Sequence, residues 1–173
     1  MHTTHLEYSA GPSPNADVTV RTASGDHLDT VVALRLALLR EYDGHPIYGT
    51  LHPDAETRAR QLCVSQMDSP RDVFLLAEVD GNAVGLMRCT DTQASPLLWP
   101  ERFAYVSSVY VQPRFRRRGV LRALLASAEA WCVARGLAEM RLHNVPGDAA
   151  ASAWDALGFG MVEQVRTHEI RSH

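Results

Sequence analysis

Between Arg114 and Arg122 the sequence reads RFRRRGVLR, five arginines in nine residues. The run opens an amphipathic stretch, Arg118 to Arg135, in which Val120, Leu121, Leu124, Leu125, Ala128 and Cys132 recur at helical spacing. A helix start already carries partial positive charge and presents unpaired N–H groups. Cations placed there cost a few tenths to about 1 kcal/mol each, so the run is well matched to itself only with an anion among the arginines. Gly119 removes the side chain where a ligand would approach the backbone most closely. A strand feeding such a turn is a general phosphate-binding arrangement, but it does not name the phosphate. The dinucleotide fingerprint GxGxxG and the GxxxxGK[ST] loop are both absent. Nucleic acid is a second class of anion. Against it, the basic patch is local, the net charge is -3, and the nearby aromatics follow a strand pattern rather than a stacking row. No nucleic-acid partner is expected.

Composition limits the remaining chemistry. All 17 basic residues are arginine, which excludes Schiff-base and Walker-type lysine mechanisms. Cys63, Cys89 and Cys132 are widely spaced and odd in number, so neither a metal cluster nor a disulfide framework is expected. They read as buried small hydrophobes in a reducing compartment. No apolar run marks a signal peptide near the N-terminus, and none reaches the ~18 residues of a spanning helix. A cytoplasmic location without membrane contact is the expectation. The loop from Tyr42 to His52 (YDGHPIYGTLH) gathers Tyr42, Asp43, His45, Tyr48 and His52. An acidic and aromatic wall of this kind suits a cationic amine.

The elements that must position these groups follow from periodicity. Residues 1–15 read as a flexible arm ahead of a single domain, 16–173. Asp17–Thr22 alternates as a half-buried strand. Ser24 or Asp26 caps a helix carrying Leu28, Val31, Val32, Leu34, Leu38 and Leu39, and Pro53 opens a second helix. Val73–Val79, Asp80-Gly81-Asn82 and Ala83–Cys89 form a hairpin, and Asp91–Arg102 reads as a loop. Tyr105–Val111 is a strand ended by Pro113. After the central helix, Gly136 is a C′ residue and Leu137–Leu142 a strand parallel to Tyr105–Val111. Asp148 caps a short helix to Leu157, and Met161–Ile170 alternates as one or two final strands. The order β-α-α-β-β-β-α-β-α-β predicts an α/β fold (α+β by some schemes), with one mixed, mostly antiparallel sheet flanked by helices.

The segment VYVQPRFRRRGVLRALLASAEAW resembles the central motif of the GNAT superfamily of acyl-CoA N-acyltransferases, a strand, V-x-P, then R/Q-x-x-G-x-G/A and a helix. Val111 and Pro113 match V-x-P; Arg116, Gly119 and Leu121 fall on the R/Q, first G and final G/A positions. Ala150–Phe159 resembles the family's closing helix, with Gly158 and Phe159 matching its G-F end. The resemblance spans about Asp17 to Ile170. It implies acetyl-CoA as co-substrate, with the pyrophosphate held around Arg116, Arg117, Arg118, Gly119, Val120, Leu121 and Arg122. The pantetheine arm would lie along Val109, Tyr110 and Val111, and Asn144 and Trp154 would complete the coenzyme site. Two positions depart from the pattern. Leu121 replaces a small residue, and Trp154 stands where many members carry a tyrosine that protonates the thiolate, which an indole N–H cannot do.

The implied reaction is direct attack of a neutral primary amine, on a small molecule or peptide, at the thioester. It needs orientation, a polarised carbonyl and a route for the proton. The resemblance places the polarising amide near Val109 and a base on the same strand, where this chain has Ser107 and Ser108. Ser108 and Glu78 are the catalytic candidates, Glu78 acting through water, with His45 or His52 as further bases. Tyr42, His45 and Tyr48 lie where the family builds its acceptor site. The absence of a glutamate and a tyrosine at those two positions motivates an alternative, a non-catalytic acyl-CoA-binding module. No metal is expected, and the chain is expected as monomer or homodimer.

Overall fold

The alternating VTVRT segment forms β1 (Val18–Thr22) in a computed structural model that describes residues 17–145 and 149–170. Ser24 and His27 close a capping box on a short 3-10 turn, which leads into α1 (Leu28–Arg40). After a polar loop comes α2 (Ala55–Met67). The hairpin of β2 (Asp72–Val79) and β3 (Asn82–Gln93) turns on Asp80 and Gly81, both at positive φ. β4 (Arg102–Val111), α3 (Val120–Ala134) and β5 (Met140–Leu142) follow. These elements form one compact unit ending at Leu142, and a second begins at His143 and holds α4 (Ala149–Ala156).

The sheet order is β1-β2-β3-β4-β5. Neighbours are antiparallel up to β4, and β5 lies parallel to β4, as a strand–helix–strand crossover requires. Because side chains alternate across a strand, each face takes its own helices. On one face Val31, Val32, Leu34, Leu36, Ala59 and Cys63 of α1 and α2 pack on Phe74, Leu76, Leu86 and Tyr110. On the other lies α3, whose Cys132 packs with Ala104 and Leu137. At Gly85 the approach is close: a Cβ there would stand 3.0 Å from Val120 Cγ1 and 3.2 Å from Leu124 Cδ1.

Three segments differ from their sequence patterns. Asp91–Gln93, expected in a loop, extends β3 and pairs with Arg102–Ala104. The reason is a buried charge that periodicity does not show. Asp91 is held by Arg102, with Nε at 2.9 Å, and by Arg135 Nε at 3.7 Å. The hydrogen bond from Arg102 keeps its carboxyl below the usual carboxylate range. β5 has three residues rather than six, because the helix end consumes the start of that stretch. Gly136 at φ 69° lets Leu137 N–H bond back to Cys132 O at 2.9 Å and bury its side chain. Residues 161–170 take no regular structure. Met161, Val162, Val165 and Ile170 stay exposed, and no described strand supplies the ladder that alternation alone cannot.

Candidate active site

The arginine-rich turn is built by backbone conformation. Pro113–Phe115 form a 3-10 turn anchored by buried Phe115. Arg117 then takes φ 61° and Gly119 φ 80°, and Gly119 is the N-cap of α3. Left-handed residues in a turn direct N–H groups into a concavity suited to anions. The first intrahelical bond is Ala123 N–H to Gly119 O at 2.9 Å, so the N–H groups of Val120, Leu121 and Arg122 have no acceptor within the helix. Nothing lies within 4 Å of the position a Gly119 Cβ would occupy. The glycine therefore answers a left-handed backbone facing open space, not a crowded one. Val120's side chain is buried, so its contribution to this concavity is its N–H.

The arginines divide their work. Arg114, Arg117, Arg118 and Arg122 are exposed around the turn. Arg116 is committed to the protein: Nη2 holds both carboxylate oxygens of Glu41 at 2.6 and 2.8 Å, and Nε donates to Val111 O at 2.9 Å. The guanidinium also lies 5.8 Å from the centre of the Tyr110 ring. The side chain of Arg116, one of the residues expected around the pyrophosphate, is thus a strut between the turn and the end of α1.

Beside the turn the sheet opens. β5 pairs with β4 only at Ala104, Tyr105 and Val106, so from Ser107 to Val111 the outer edge of β4 has no described strand partner. Its polarity there is set by a bulge. Between Arg88↔Ser107 and Leu86↔Tyr110 the register shifts, and Ser108 has φ 51°. Ala104 N–H faces β5 and Gln112 N–H faces β3, bonded to Glu139 O and Val84 O at 2.9 Å each. Strict alternation from Ala104 would turn Val109 toward β3, and the extra residue reverses this. The N–H groups of Val109 and Val111 point into the gap, while that of Tyr110 belongs to the β3 ladder and its side chain to the core. Of the three residues expected along the pantetheine arm, Tyr110 is not presented to it. A bare β-edge with two outward amides matches an amide-bearing extended ligand, added as a further strand.

On the α1/α2 face of the same strands, the aromatic loop is a folded knot. His45 stacks on Tyr48 at 4.9 Å, and Tyr42 meets both at 5.9 and 5.5 Å. His45 Nδ1 accepts the N–H groups of Ile47 and Tyr48 at 3.2 Å each, so in this arrangement Nδ1 carries no proton. Gly49 passes so close to Gly44 and His45 that any Cβ would collide with backbone. His52 is engaged by Asp54. The phenol of Tyr105 on β4 is pushed up mainly by burial, with Tyr48 adding and Arg88 opposing.

The structure does not bring Glu78 to Ser108. Glu78 pairs with Arg21 at 2.8 Å. It faces Ala83, five residues along β3 from the Arg88 that faces Ser107, about 17 Å at strand rise. Asn144 and Trp154 fall in the second unit, where Asn144 Nδ2 donates to Val145 O at 3.1 Å and Trp154 meets the Phe159 ring edge-on at 5.1 Å. Sequence reasoning missed the Glu41–Arg116 pair, whose partners are 75 residues apart, and the Asp72–Arg88 pair across the β2–β3 hairpin. Among the described residues no group of three or more His, Cys, Asp or Glu is arranged to hold a metal, and no helix is long and apolar enough to cross a membrane.

Comparison with known proteins places these features in a lineage. The model of the acetyltransferase (GNAT) family matches residues 35–159. An aminoglycoside N(6′)-acetyltransferase type 1 of Stenotrophomonas maltophilia is 32% identical over 123 residues, 66% of this chain and 76% of its own. A Klebsiella aerogenes protein of the same name is 30% identical over 122 residues, 67% and 80% of the two chains. Among solved structures, AAC(6′)-Iy bound to a CoA-linked bisubstrate analogue superposes with a TM-score of 0.70 at 23% identity, covering 91% of this chain and 100% of that one. A Clostridium acetobutylicum protein solved with acetyl-CoA gives 0.73 at 14% identity, covering 88% and 96%. The fold, the glycine-capped turn and the family match agree: the chain belongs to the GNAT family of acetyltransferases and is an acetyl-CoA-dependent N-acetyltransferase.

Proposed function

We propose that the acceptor is a cationic aminosugar of the aminoglycoside class, acetylated on a primary amine at its 6′ position. The observation that carries this reading is the 32% identity over 123 residues to an aminoglycoside N(6′)-acetyltransferase. The loop chemistry agrees with it. Exposed Asp43 directly follows Tyr42 of the Tyr42–His45–Tyr48 knot, and a carboxylate and aromatic rings in one loop suit an ammonium-rich ligand. Acetyl-CoA lies with its pyrophosphate on the Gly119–Arg122 amides and its pantetheine against the bare edge of β4. The Val109 N–H then polarises the thioester carbonyl as the amine attacks; the C–N bond forms, the C–S bond breaks and the coenzyme leaves as thiolate. The proton of the amine passes to water, since no carboxylate stands on β4. The protein works as a single domain in the cytoplasm, without a metal.

The test is a thiol-release assay with two aminoglycosides that differ only in bearing an amine or a hydroxyl at the 6′ carbon. Polyamines and a peptide N-terminus serve as comparisons. The expected result is turnover of the 6′-amine alone, with a product heavier by one acetyl group. Equal turnover of the 6′-hydroxyl compound, or turnover of the peptide only, would exclude the assignment.

A further inference from the structure

We propose that Ser107 is the side chain on β4 that holds the acceptor amine, and that Asp72 and Arg88 are positioning residues behind it. The inference rests on the acetyl-transfer reading above and concerns the same site. Ser107 Oγ accepts a hydrogen bond from Arg88 Nη1 at 3.3 Å. Arg88 Nη2 holds Asp72 Oδ1 at 2.5 Å, and the same oxygen accepts from Thr90 Oγ1 at 2.7 Å. The Arg88 and Asp72 side chains are only 14% and 7% exposed. Such a pair loses its hydration on folding, and well-packed apolar residues would serve stability at least as well. Arg88 Nε is in addition buried without a partner, a further cost. A pair that is expensive for stability and ends on one half-buried hydroxyl is matched to orienting that hydroxyl.

The location agrees. Arg88 faces Ser107 across the ladder, and both lie on the face covered by α1 and α2. Tyr105, two residues earlier on the same face, is the residue whose phenol feels Tyr48 of the aromatic knot. Two residues later comes Val109, whose N–H enters the gap. Ser107 therefore lies on β4 between Tyr105 and the Val109 amide, whereas Ser108 occupies the bulge itself. With one Ser107 lone pair taken by Arg88, one lone pair and the O–H remain. A neutral amine must keep its own lone pair for the carbonyl carbon. The free Ser107 lone pair accepts one of its N–H groups and aims it, and the surplus proton still leaves to water. Ser107 orients; it is no base.

The experiment measures steady-state thiol release with the full chain and the best amine of the panel, for wild type, Ser107→Ala, Ser107→Thr and Arg88→Lys. Ser107→Ala is expected to lower kcat/KM for the amine about 10- to 100-fold while KM for acetyl-CoA stays within about twofold. Ser107→Thr, which keeps the hydroxyl, is expected to recover activity to within about threefold of wild type. Arg88→Lys should fall with Ser107→Ala, and the double variant no further, since the two act as a unit. If Arg88→Lys does not fold, the two serine variants decide alone. Wild-type kcat/KM in Ser107→Ala, or failure of threonine to rescue, overturns the role of Ser107 alone. A wild-type protein that turns over no amine overturns the acetyl-transfer reading, and this role with it.

Discussion

At Ser108 a non-glycine residue holds φ at 51°, a region that costs an L-residue roughly 1 kcal/mol. The return is the reversed polarity of β4, which delivers the Val109 amide to the gap. If the bulge and not the hydroxyl is what matters, Ser108→Gly should keep kcat/KM within about threefold and raise stability by about 0.5–1 kcal/mol. Ser108→Val resists positive φ; it should lose stability and more than tenfold in activity. Denaturant midpoints and thiol release read both effects; equal loss in the glycine and valine variants would restore a chemical role for the hydroxyl. Arg116 teaches the complementary lesson about legibility. Its position in the motif was readable, but its engagement with Glu41, 75 residues away, was not, because nothing local in either segment encodes the pair.

The elements were legible where one local signal sufficed. Gly136 and Gly158 each close a helix at positive φ, with Leu137 and Phe159 N–H bonding back to Cys132 O and Trp154 O. The hairpin at Asp80-Gly81 and the parallel β4–β5 pair follow equally simple rules. Tertiary effects decided the rest: Asp91, buried among arginines, extended β3, and the alternating 161–170 stretch found no ladder. Gly85 belongs with these, since a strand glycine says nothing of what approaches it. Here it seats the first turn of α3 on the sheet. Gly85→Ala would place a Cβ 3.0 Å from Val120 Cγ1 and 3.3 Å from Tyr110 O. The expected cost is about 1–3 kcal/mol of overpacking, with weaker coenzyme binding as the helix start lifts. A denaturation midpoint and a coenzyme titration check this, and a variant unchanged in both would show that α3 has slack at its start.

For the molecule as a whole, three features converge at the end of one strand. The sheet splits after Val106, a glycine-capped helix begins beside the split, and the Glu41–Arg116 pair ties that turn to the segment leading into the aromatic loop. A net charge of -3 over the chain conceals this local basic turn, so global charge says little about the ligand. The turn at the start of α3 was legible because a glycine-capped helix start leaves its signature in the sequence. The Asp72–Arg88–Ser107 chain was less so, because its residues come from separate strands that only folding brings together. The most direct measurement is calorimetric titration of coenzyme A into wild type, Gly119→Ala and Gly119→Glu, with circular dichroism confirming the fold. Pyrophosphate held on the α3 amides predicts binding by wild type, moderate weakening in Gly119→Ala from backbone strain, and at least a hundredfold loss in Gly119→Glu, whose carboxylate would stand against the phosphates. Wild-type affinity in Gly119→Glu would mean that the coenzyme binds elsewhere.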